Sequence, residues 1–357
     1  MELRELTEYE FFKFIKKSKS DNFLQSLEMF RRYRDIKRES YLFGGFVKGD
    51  LKIAALVYCM RELMGWKIFN MARGPILDFE DKKIFTYQKT FLEKSALLLK
   101  NKGGAVLQIS PNYYRSICDD VFDDGDIPAW PKKQEFDSLY DEVGFKYLGE
   151  YAQVKWAYLK DLGAKKDEIM GSFRQGHRRA IRHAIARHGM QFRNLELNEL
   201  DILEKLVNEA GKRHGFAGPN AEYYKSMKKH FSDKVIFSVV DLNDANKKIP
   251  VAAGMFIEYN DEMIYLFGGS HINKKASYGP ILLQWSMMEK AMDGGYLKYN
   301  FYGTHPFKGA ADFSVYNFKK GFRGSVIEYL GTYAKPLNLV GRFIIKRIGI
   351  AQYRGVS

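Results

Sequence analysis

The sequence predicts an α/β (α+β) protein of two tandem, related units with mixed sheets. The first observation is a plan stated twice. Residues 41–59 read as two short strands meeting at Lys48-Gly49-Asp50, with Lys52-Ile53-Ala54-Ala55 opening the second. Residues 235–258 repeat it, with Asp241 to Lys248 as the turn and Pro250-Val251-Ala252-Ala253 opening the second strand. Next, an aromatic strand ending in glycine follows each hairpin, Lys67 to Gly74 and then Met263 to Gly269. Last comes a helix ending in a Gly-Gly pair that starts another strand: Gly103-Gly104 before Val106-Leu107-Gln108-Ile109, and Gly294-Gly295 before Leu297-Lys298-Tyr299-Asn300. The offset falls from 198 at the Ala-Ala pairs to 191 at the Gly-Gly pairs, so order rather than identity carries the repeat. A shared strand, strand, helix, strand plan implies two related units and a cleft between them.

In chain order, helices are predicted at 7–18, 22–35, 82–101, 167–188, 197–214, 220–231, 280–294 and 311–320. Between them lie β-branched and aromatic strands, several joined as hairpins, so the sheets should mix parallel and antiparallel pairs. Asp119 to Lys133 is acidic, then rich in proline and lysine, and reads as a long surface loop. Lys146 to Leu162 is strand-like and leads into the second unit; Gly324 to Tyr333 reads as another strand, a return toward the first. The expected division is 1–150 plus 324–357 for the first unit and 151–323 for the second.

With 357 residues the chain can bury two cores of ordinary size. Lys plus Arg exceed Asp plus Glu by 57 to 43, a net charge of +14, which favours polyanionic partners: nucleic acid, phosphorylated substrates or an anionic membrane. Cys59 and Cys118 are scattered, with no disulfide framework and no metal spacing, so a reducing cytoplasm is the default. Met1 to Ser18 lacks the apolar core of a signal peptide, and nowhere do apolar residues run long enough to span a bilayer.

Three constellations carry chemistry. Ser172 to Gly189 is a basic helix in which Arg174, Arg178 and Arg182 share a face, while Ile181, Ala184 and Ile185 form an apolar stripe. It reads either as a solvated face over a core stripe or as an anion surface for RNA or phosphate. The spacing of His177, His183 and His188 does not suit a metal. Tyr265-Leu266-Phe267-Gly268-Gly269-Ser270 ends a strand, and Tyr278-Gly279-Pro280 opens a helix whose free amides suit an anion. On that helix Ile281, Trp285, Met288 and Met292 read as a core face. Asn317-Phe318-Lys319-Lys320-Gly321-Phe322 sets two lysines in an aromatic frame at a helix end, either as complements to the dipole or with one as a fixed charge in the cleft.

Taken together, several segments resemble the Fem family of aminoacyl-tRNA-dependent peptidyltransferases. They are Phe23 to Met29, Arg73-Gly74-Pro75-Ile76-Leu77-Asp78, the basic helix to Ala184, Lys212-Arg213-His214-Gly215-Phe216, Ala221-Glu222-Tyr223-Tyr224, Tyr265 to Ser270 and Asn317 to Phe322. The resemblance runs over almost the whole chain. It implies two acetyltransferase-like (GNAT-like) units and transfer of an amino acid (Ala, Ser or Gly) from tRNA to the side-chain amine of the peptidoglycan stem peptide. The acceptor would be carried on UDP-MurNAc-pentapeptide or lipid II. No cofactor and no metal are implied. Tyr223 to His230 leads directly into strand Val235 to Val240, so the chain is similar to members without a coiled-coil arm.

What the resemblance implies for the site is residue-specific. Lys319 matches the lysine before the final glycine-phenylalanine and is the expected oxyanion stabiliser. Arg34 stands where the family has a phosphate-holding lysine, although in the run Arg31, Arg32, Arg34 it reads equally as a surface arginine. Tyr223, Tyr265 and Phe267 are expected groove residues, with Gly269 beside them; Phe267 replaces a second tyrosine and keeps stacking without a hydroxyl. Pro219 stands in place of a phosphate-binding arginine, and Ser110 before Pro111 in place of an aspartate. Arg174, Arg178 and Arg182 are the candidate contacts to tRNA or phosphate. Leu339 to Arg354 reads as a helix that either packs on the first unit or lies, basic and amphipathic, on a membrane. A cytoplasmic monomer, at the inner face of the plasma membrane in the second case, is expected. The rival readings are a GNAT acyltransferase using acyl-CoA, against which Ser270 to Pro280 lacks closely spaced glycines, and a non-catalytic tRNA-binding protein.

Overall fold

A computed structural model describes residues 1–18, 22–77, 83–119, 134–244, 247–271, 276–307, 309 and 313–354. In chain order the first elements are β1 (Glu2–Glu5), α1 (Glu8–Ile15), α2 (Leu27–Asp35), β2 (Ser40–Val47), β3 (Asp50–Leu63), β4 (Trp66–Ala72), β5 (Ile76–Leu77), α3 (Ile84–Asn101) and β6 (Gly104–Ser110). Next come β7 (Tyr114–Asp119), α4 (Gln134–Glu142), β8 (Lys146–Gly149), β9 (Trp156–Asp161), α5 (Lys166–Ser172), α6 (Gln175–Ala186), β10 (Gln191–Asn194), α7 (Leu200–His214) and α8 (Ala221–Phe231). The rest are β11 (Val235–Asp244), β12 (Lys247–Tyr259), β13 (Glu262–Ser270), α9 (Gly279–Asp293), β14 (Lys298–Gly303), α10 (Phe313–Lys320), β15 (Ser325–Tyr329), β16 (Thr332–Pro336) and α11 (Leu339–Arg354).

These elements form two eight-stranded sheets. One has the order β1-β2-β3-β4-β6-β16-β8, with β5 paired to β3, and the other β10-β11-β12-β13-β14-β9-β15-β7. The described residues divide into two compact units, those within 1–116, 134–155 and 328–354, and those within 117–119 and 156–327. The repeat read from the sequence is the framework of both sheets. Hairpin β2-β3, strand β4, helix α3 and the parallel return β6 correspond to β11-β12, β13, α9 and the parallel return β14.

In the first unit α3 sets Phe91, Leu92 and Leu99 on a sheet face carrying Phe43, Val57, Phe69 and Leu107. Ile345 of α11 covers the other face at Ile68, Val106 and Ala334. Gly341 lets α11 come down, because a Cβ there would overlap the carbonyl oxygen of Ala105. Helix 339–354 therefore packs on its sheet, yet Leu339 and Phe343 are 77% and 59% exposed. In the second unit α9 buries Leu283, Trp285 and Met288 against Phe256, Met263 and Tyr299, with Ile281 and Met292 partly buried beside them. No described helix is long and apolar enough to cross a membrane.

Several local expectations need correction. The helix at 167–188 is two: Phe173, extended at ψ 156°, separates α5 from α6 because its buried ring packs on Trp285 and Phe322 at 5.5 and 5.2 Å. Arg174 is thus a cap residue outside the helical face. Ile185 is 55% exposed, and the buried stripe is Ala180, Ile181 and Ala184. The helix at 22–35 breaks at Ser26, whose hydroxyl caps α2 through Met29 N. Strand-like Lys146 to Leu162 is two strands in different sheets, β8 and β9, and Gly324 to Tyr333 likewise supplies β15 and β16. Strands β11 and β12 run on to Asp244 and from Lys247, so the turn is shorter than Asp241 to Lys248. Helix α4 was not expected. Residues 120–133 of the expected long loop lie outside the described residues.

The motif at Phe23–Met29 has a structural use. The buried Gln25 side chain accepts from Leu56 N (2.8 Å) and donates to Leu56 O (3.1 Å) and Ala72 O (2.7 Å), tying β3 to the end of β4. Gly74 stays bare because a Cβ would press on that amide at 2.8 Å. Gln25→Leu keeps the volume but leaves three buried main-chain groups unpaired, so a loss of about 3 kcal/mol is expected. Urea unfolding checks this, and a change below about 1 kcal/mol contradicts it.

Candidate active site

In the second unit Lys319 reaches the point where β13 and β14 part. The two strands run parallel and pair from Glu262↔Lys298 to Ile264↔Asn300, over three residue pairs only. In the first unit, β4 and β6 stay paired from Lys67↔Gly104 to Ala72↔Ser110, over six. Two irregularities accompany the fork. Against β12 the register passes from Phe256↔Tyr265 to Met255↔Phe267, so Leu266 is an extra residue in a bulge. Against β9, β14 steps from Asn300↔Leu159 to Gly303↔Ala157, and Tyr302 between them has φ 60°. Its amide donates to Asn300 Oδ1 at 2.8 Å, which helps hold that unusual conformation.

Lys319, in the last turn of α10, reaches this point. It is only 4% exposed, and its ammonium donates to Phe301 O at 2.9 Å and to Gly303 O, carbonyls of residues just past the last β13 partner. A buried ammonium is costly unless hydrogen-bonded, and these carbonyls supply the partial negative charge it needs. The result is a positive charge fixed at the mouth of the fork.

The turn after Lys319 is clamped from several directions. Arg174 N donates to Gly321 O at 2.9 Å. Lys160, also buried, donates to Arg323 O (2.7 Å) and Ser172 Oγ (2.8 Å), and its pKa is lowered by burial. Gly324 N donates to Tyr158 Oη at 2.8 Å. His177 Nε2 lies 3.0 Å from Phe318 O; since a carbonyl only accepts, Nε2 must carry the proton. The imidazole stands edge-on to Phe322 at 4.6 Å, and a Cβ on Gly321 would overlap it, so glycine is required there. Burial holds the His177 pKa below its ordinary value; the Phe318 bond opposes this, and Arg174 adds to it.

The other expected site residues fall into separate places. Tyr223, on a helix capped by Asn220 Oδ1 accepting from Tyr223 N at 3.0 Å, meets Phe267 edge-to-face at 5.8 Å. Tyr265 lies on the opposite sheet face, because the Leu266 bulge reverses the alternation: its ring pairs with Phe256 at 5.3 Å, beside Gln284 of α9. Burial pushes the Tyr265 phenol pKa up. Tyr299 Oη donates to the same Gln284 at 2.7 Å. Gly269 serves close packing, since a Cβ would overlap Leu206 O of α7. Arg34 is exposed on α2 of the first unit, with its guanidinium 6.0 Å from the Phe30 ring. Ser110 is buried and shares a 2.9 Å hydrogen bond with Thr332. Of the three helix arginines, Arg178 donates to Gly171 O (2.5 Å) and Phe173 O (2.9 Å), closing the end of α5, and Arg182 is exposed.

The FemAB family model matches residues 6–247 and 242–341. The chain belongs to the FemAB family. Among curated relatives of this FemAB protein, Aminoacyltransferase FemB of Staphylococcus epidermidis is 25% identical, with 95% of this chain and 96% of the relative covered. Aminoacyltransferase FemA of Staphylococcus aureus is 22% identical over the same shares. Among solved structures, FemX has a TM-score of 0.78 at 16% identity, covering 97% of this chain and all of that one. A tandem GNAT protein from the clavulanic acid biosynthesis pathway has a TM-score of 0.57 at 7% identity, covering 94% and 98%. The fold is thus the tandem GNAT-like one expected.

Within this FemAB fold, sequence reasoning missed His177 and Lys160 as supports of the Lys319 turn. The available signals were a lone lysine in an apolar strand and a glycine after the lysine pair. The folded state depresses the His177 pKa, so it binds fewer protons than the unfolded chain. The stability this contributes is present above the unfolded value of about 6.5 and is lost as pH falls through the folded value. His177→Gln keeps an N–H donor for Phe318 O but does not titrate. Wild type should therefore lose more stability than His177→Gln between about pH 7 and about pH 5 in urea unfolding. Equal losses contradict the assignment.

Proposed function

We propose that this chain transfers an amino acid, alanine, serine or glycine, from aminoacyl-tRNA to the side-chain amine of the diamino acid in the peptidoglycan stem peptide. The acceptor is carried on UDP-MurNAc-pentapeptide or lipid II, and the product is an interpeptide bridge. One observation carries the reading: a buried, immobilised lysine charge at the fork between two parallel strands, in a FemAB fold. FemB and FemA, similar over nearly their whole length, are named aminoacyltransferases, which supports it.

The chemistry needs no covalent enzyme intermediate. The acceptor amine attacks the ester carbonyl, a tetrahedral oxyanion forms, the bond to the ribose oxygen breaks, and the amine gives up a proton while the tRNA leaves with a free hydroxyl. A lysine-type amine has a pKa of about 10.4, so presenting it neutral at pH 7 costs roughly 4 to 5 kcal/mol. Lys319 acts on the other demand. Two carbonyl bonds hold its charge in place before reaction, so it stabilises the developing oxyanion with little reorganisation. Tyr223 and Phe267 form an aromatic edge for the acceptor, with Gly269 and Tyr265 supporting the strand from its two faces. Arg34 is the candidate phosphate contact of the first unit.

The membrane enters through α11. Its inner stripe is used in packing, while Leu339 and Phe343 are exposed among Arg342, Lys346 and Arg347, a small basic and apolar patch suited to an anionic leaflet near lipid-linked acceptor. Deleting the helix would expose the sheet, so point changes are the cleaner probe. Leu339→Ser with Phe343→Ser should weaken binding to phosphatidylglycerol vesicles severalfold in a flotation assay; unchanged binding contradicts the membrane contact.

The reaction is tested by giving purified protein mixed aminoacyl-tRNAs with UDP-MurNAc-pentapeptide or lipid II and reading the product by mass spectrometry. A gain of one amino-acid residue on the diamino side chain is expected. Lys319→Met should cut turnover on the order of 100 to 1000-fold with acceptor binding nearly intact, and near-normal turnover contradicts the role given to Lys319.

A further inference from the structure

The outer face of α6 has no part in the core or in holding the Lys319 turn. From Ile169 to Leu195 the chain has no acidic residue. Arg178 is used on the carbonyls of Gly171 and Phe173, and Arg193 pairs with Glu199 and Asp241. Arg179, Arg182 and Arg187 are different: all three are exposed, and none has an ion-pair partner among the described residues. Their field is felt locally. The His183 pKa lies below its ordinary value, first through desolvation and then through Arg187, Arg179, His188 and Arg182.

We propose that Arg179, Arg182 and Arg187 form a docking surface for the phosphate backbone of tRNA, laid along α6 with the 3′ end toward the Lys319 turn. The identity of the RNA rests on the aminoacyl-transfer reading; the surface itself rests on geometry. The same helix holds the reacting end, through His177 on Phe318 O and Arg174 N on Gly321 O. At about 1.5 Å per residue, Arg179, Arg182 and Arg187 lie about 3, 8 and 15 Å along the axis from His177. A polyanion tracked by these arginines along the outer face therefore runs toward the N-terminal end of α6, the end that holds the Lys319 turn. The face suits RNA rather than lipid, since Ile185 is its only large exposed apolar residue among those described, whereas a membrane surface needs an apolar stripe to insert. This replaces Arg174 and Arg178 of the sequence expectation, which the fold uses internally, and keeps Arg182.

The test is fluorescence anisotropy of labelled, uncharged tRNA across about 50 to 200 mM salt. Compared with wild type, Arg179→Gln/Arg182→Gln/Arg187→Gln should bind at least tenfold more weakly at the lowest salt. The slope of log affinity against log salt should shrink by about 2 to 3, at about 0.7 to 0.9 per lost phosphate contact. Lys13→Gln/Lys16→Gln/Lys17→Gln at the C-terminal end of α1 makes the same charge change elsewhere and should leave that slope in place. An unchanged slope in the arginine variant, an equal loss in the lysine control, or lost binding to anionic vesicles with tRNA binding intact would each overturn the proposal. Transfer assays separate it from the reading it rests on. If tRNA binding depends on these arginines yet wild type yields no transfer product, the surface stands and the transfer reading fails. If transfer proceeds with an unchanged KM for aminoacyl-tRNA in the arginine variant, the surface fails and the transfer reading stands.

Discussion

The ammonium of Lys319, buried and bonded to the carbonyls of Phe301 and Gly303, is the interaction on which the second unit's working end depends. Removing an ammonium from water costs several kcal/mol, so the charge stays only where main-chain dipoles are already in place to meet it. The carbonyls are in place because β14 leaves β13 after Asn300 and turns through Tyr302. In return, the lysine satisfies strand-end oxygens beyond the last β13 pairing. Helix α10, the tight turn at Gly321 and the start of α6 together hold that side chain in place. His177, Lys160, Tyr158 and the Arg174 amide each bond to a different point of the turn.

Duplication supplies the scaffold, and the candidate site lies where the copies differ. In the first unit β4 and β6 remain zipped to Ala72↔Ser110, Gln25 takes the Ala72 carbonyl, and Ser110 is engaged with Thr332. In the second unit the corresponding strands separate after three pairs, with the Leu266 bulge on one side and the Tyr302 turn on the other. Bulges of one residue change which face a side chain addresses, so the second copy gains an open edge and a new aromatic arrangement at small cost in sequence.

Much of the scaffold was legible because its signals are local or periodic. The Lys48-Gly49 turn, the Ala-Ala strands, the Gly-Gly pairs and the apolar face of α9 each follow from the near neighbours of one residue. The site was less legible. Tyr265 and Phe267, two apart, should share a strand face by alternation; the bulge that separates them comes from register against β12, which single-strand patterns do not contain. The basic segment 167–188 has continuous helical spacing, yet tertiary packing of Phe173 on Trp285 and Phe322 breaks it. Ile185 follows the stripe in spacing and still faces outward. A lysine at a helix end usually complements the dipole in solvent, and nothing in the residues around Lys319 alone says that the carbonyls of β14 lie within its reach. Gly321, with room for no side chain beneath His177, and Lys160 in its apolar strand were the local marks of a crowded turn.

In the proposed transfer, Lys319 presents its charge to an acyl carbonyl held in the fork between β13 and β14. The most direct measurement is a crystal structure with a hydrolysis-resistant amide analogue of a 3′-aminoacyl adenosine. The acyl group is expected between the two strands past Ile264 and Asn300, with its carbonyl oxygen about 3 Å from Lys319 Nζ. An analogue bound with that oxygen farther than about 6 Å from the ammonium, or against the zipped strands of the first unit, would contradict it.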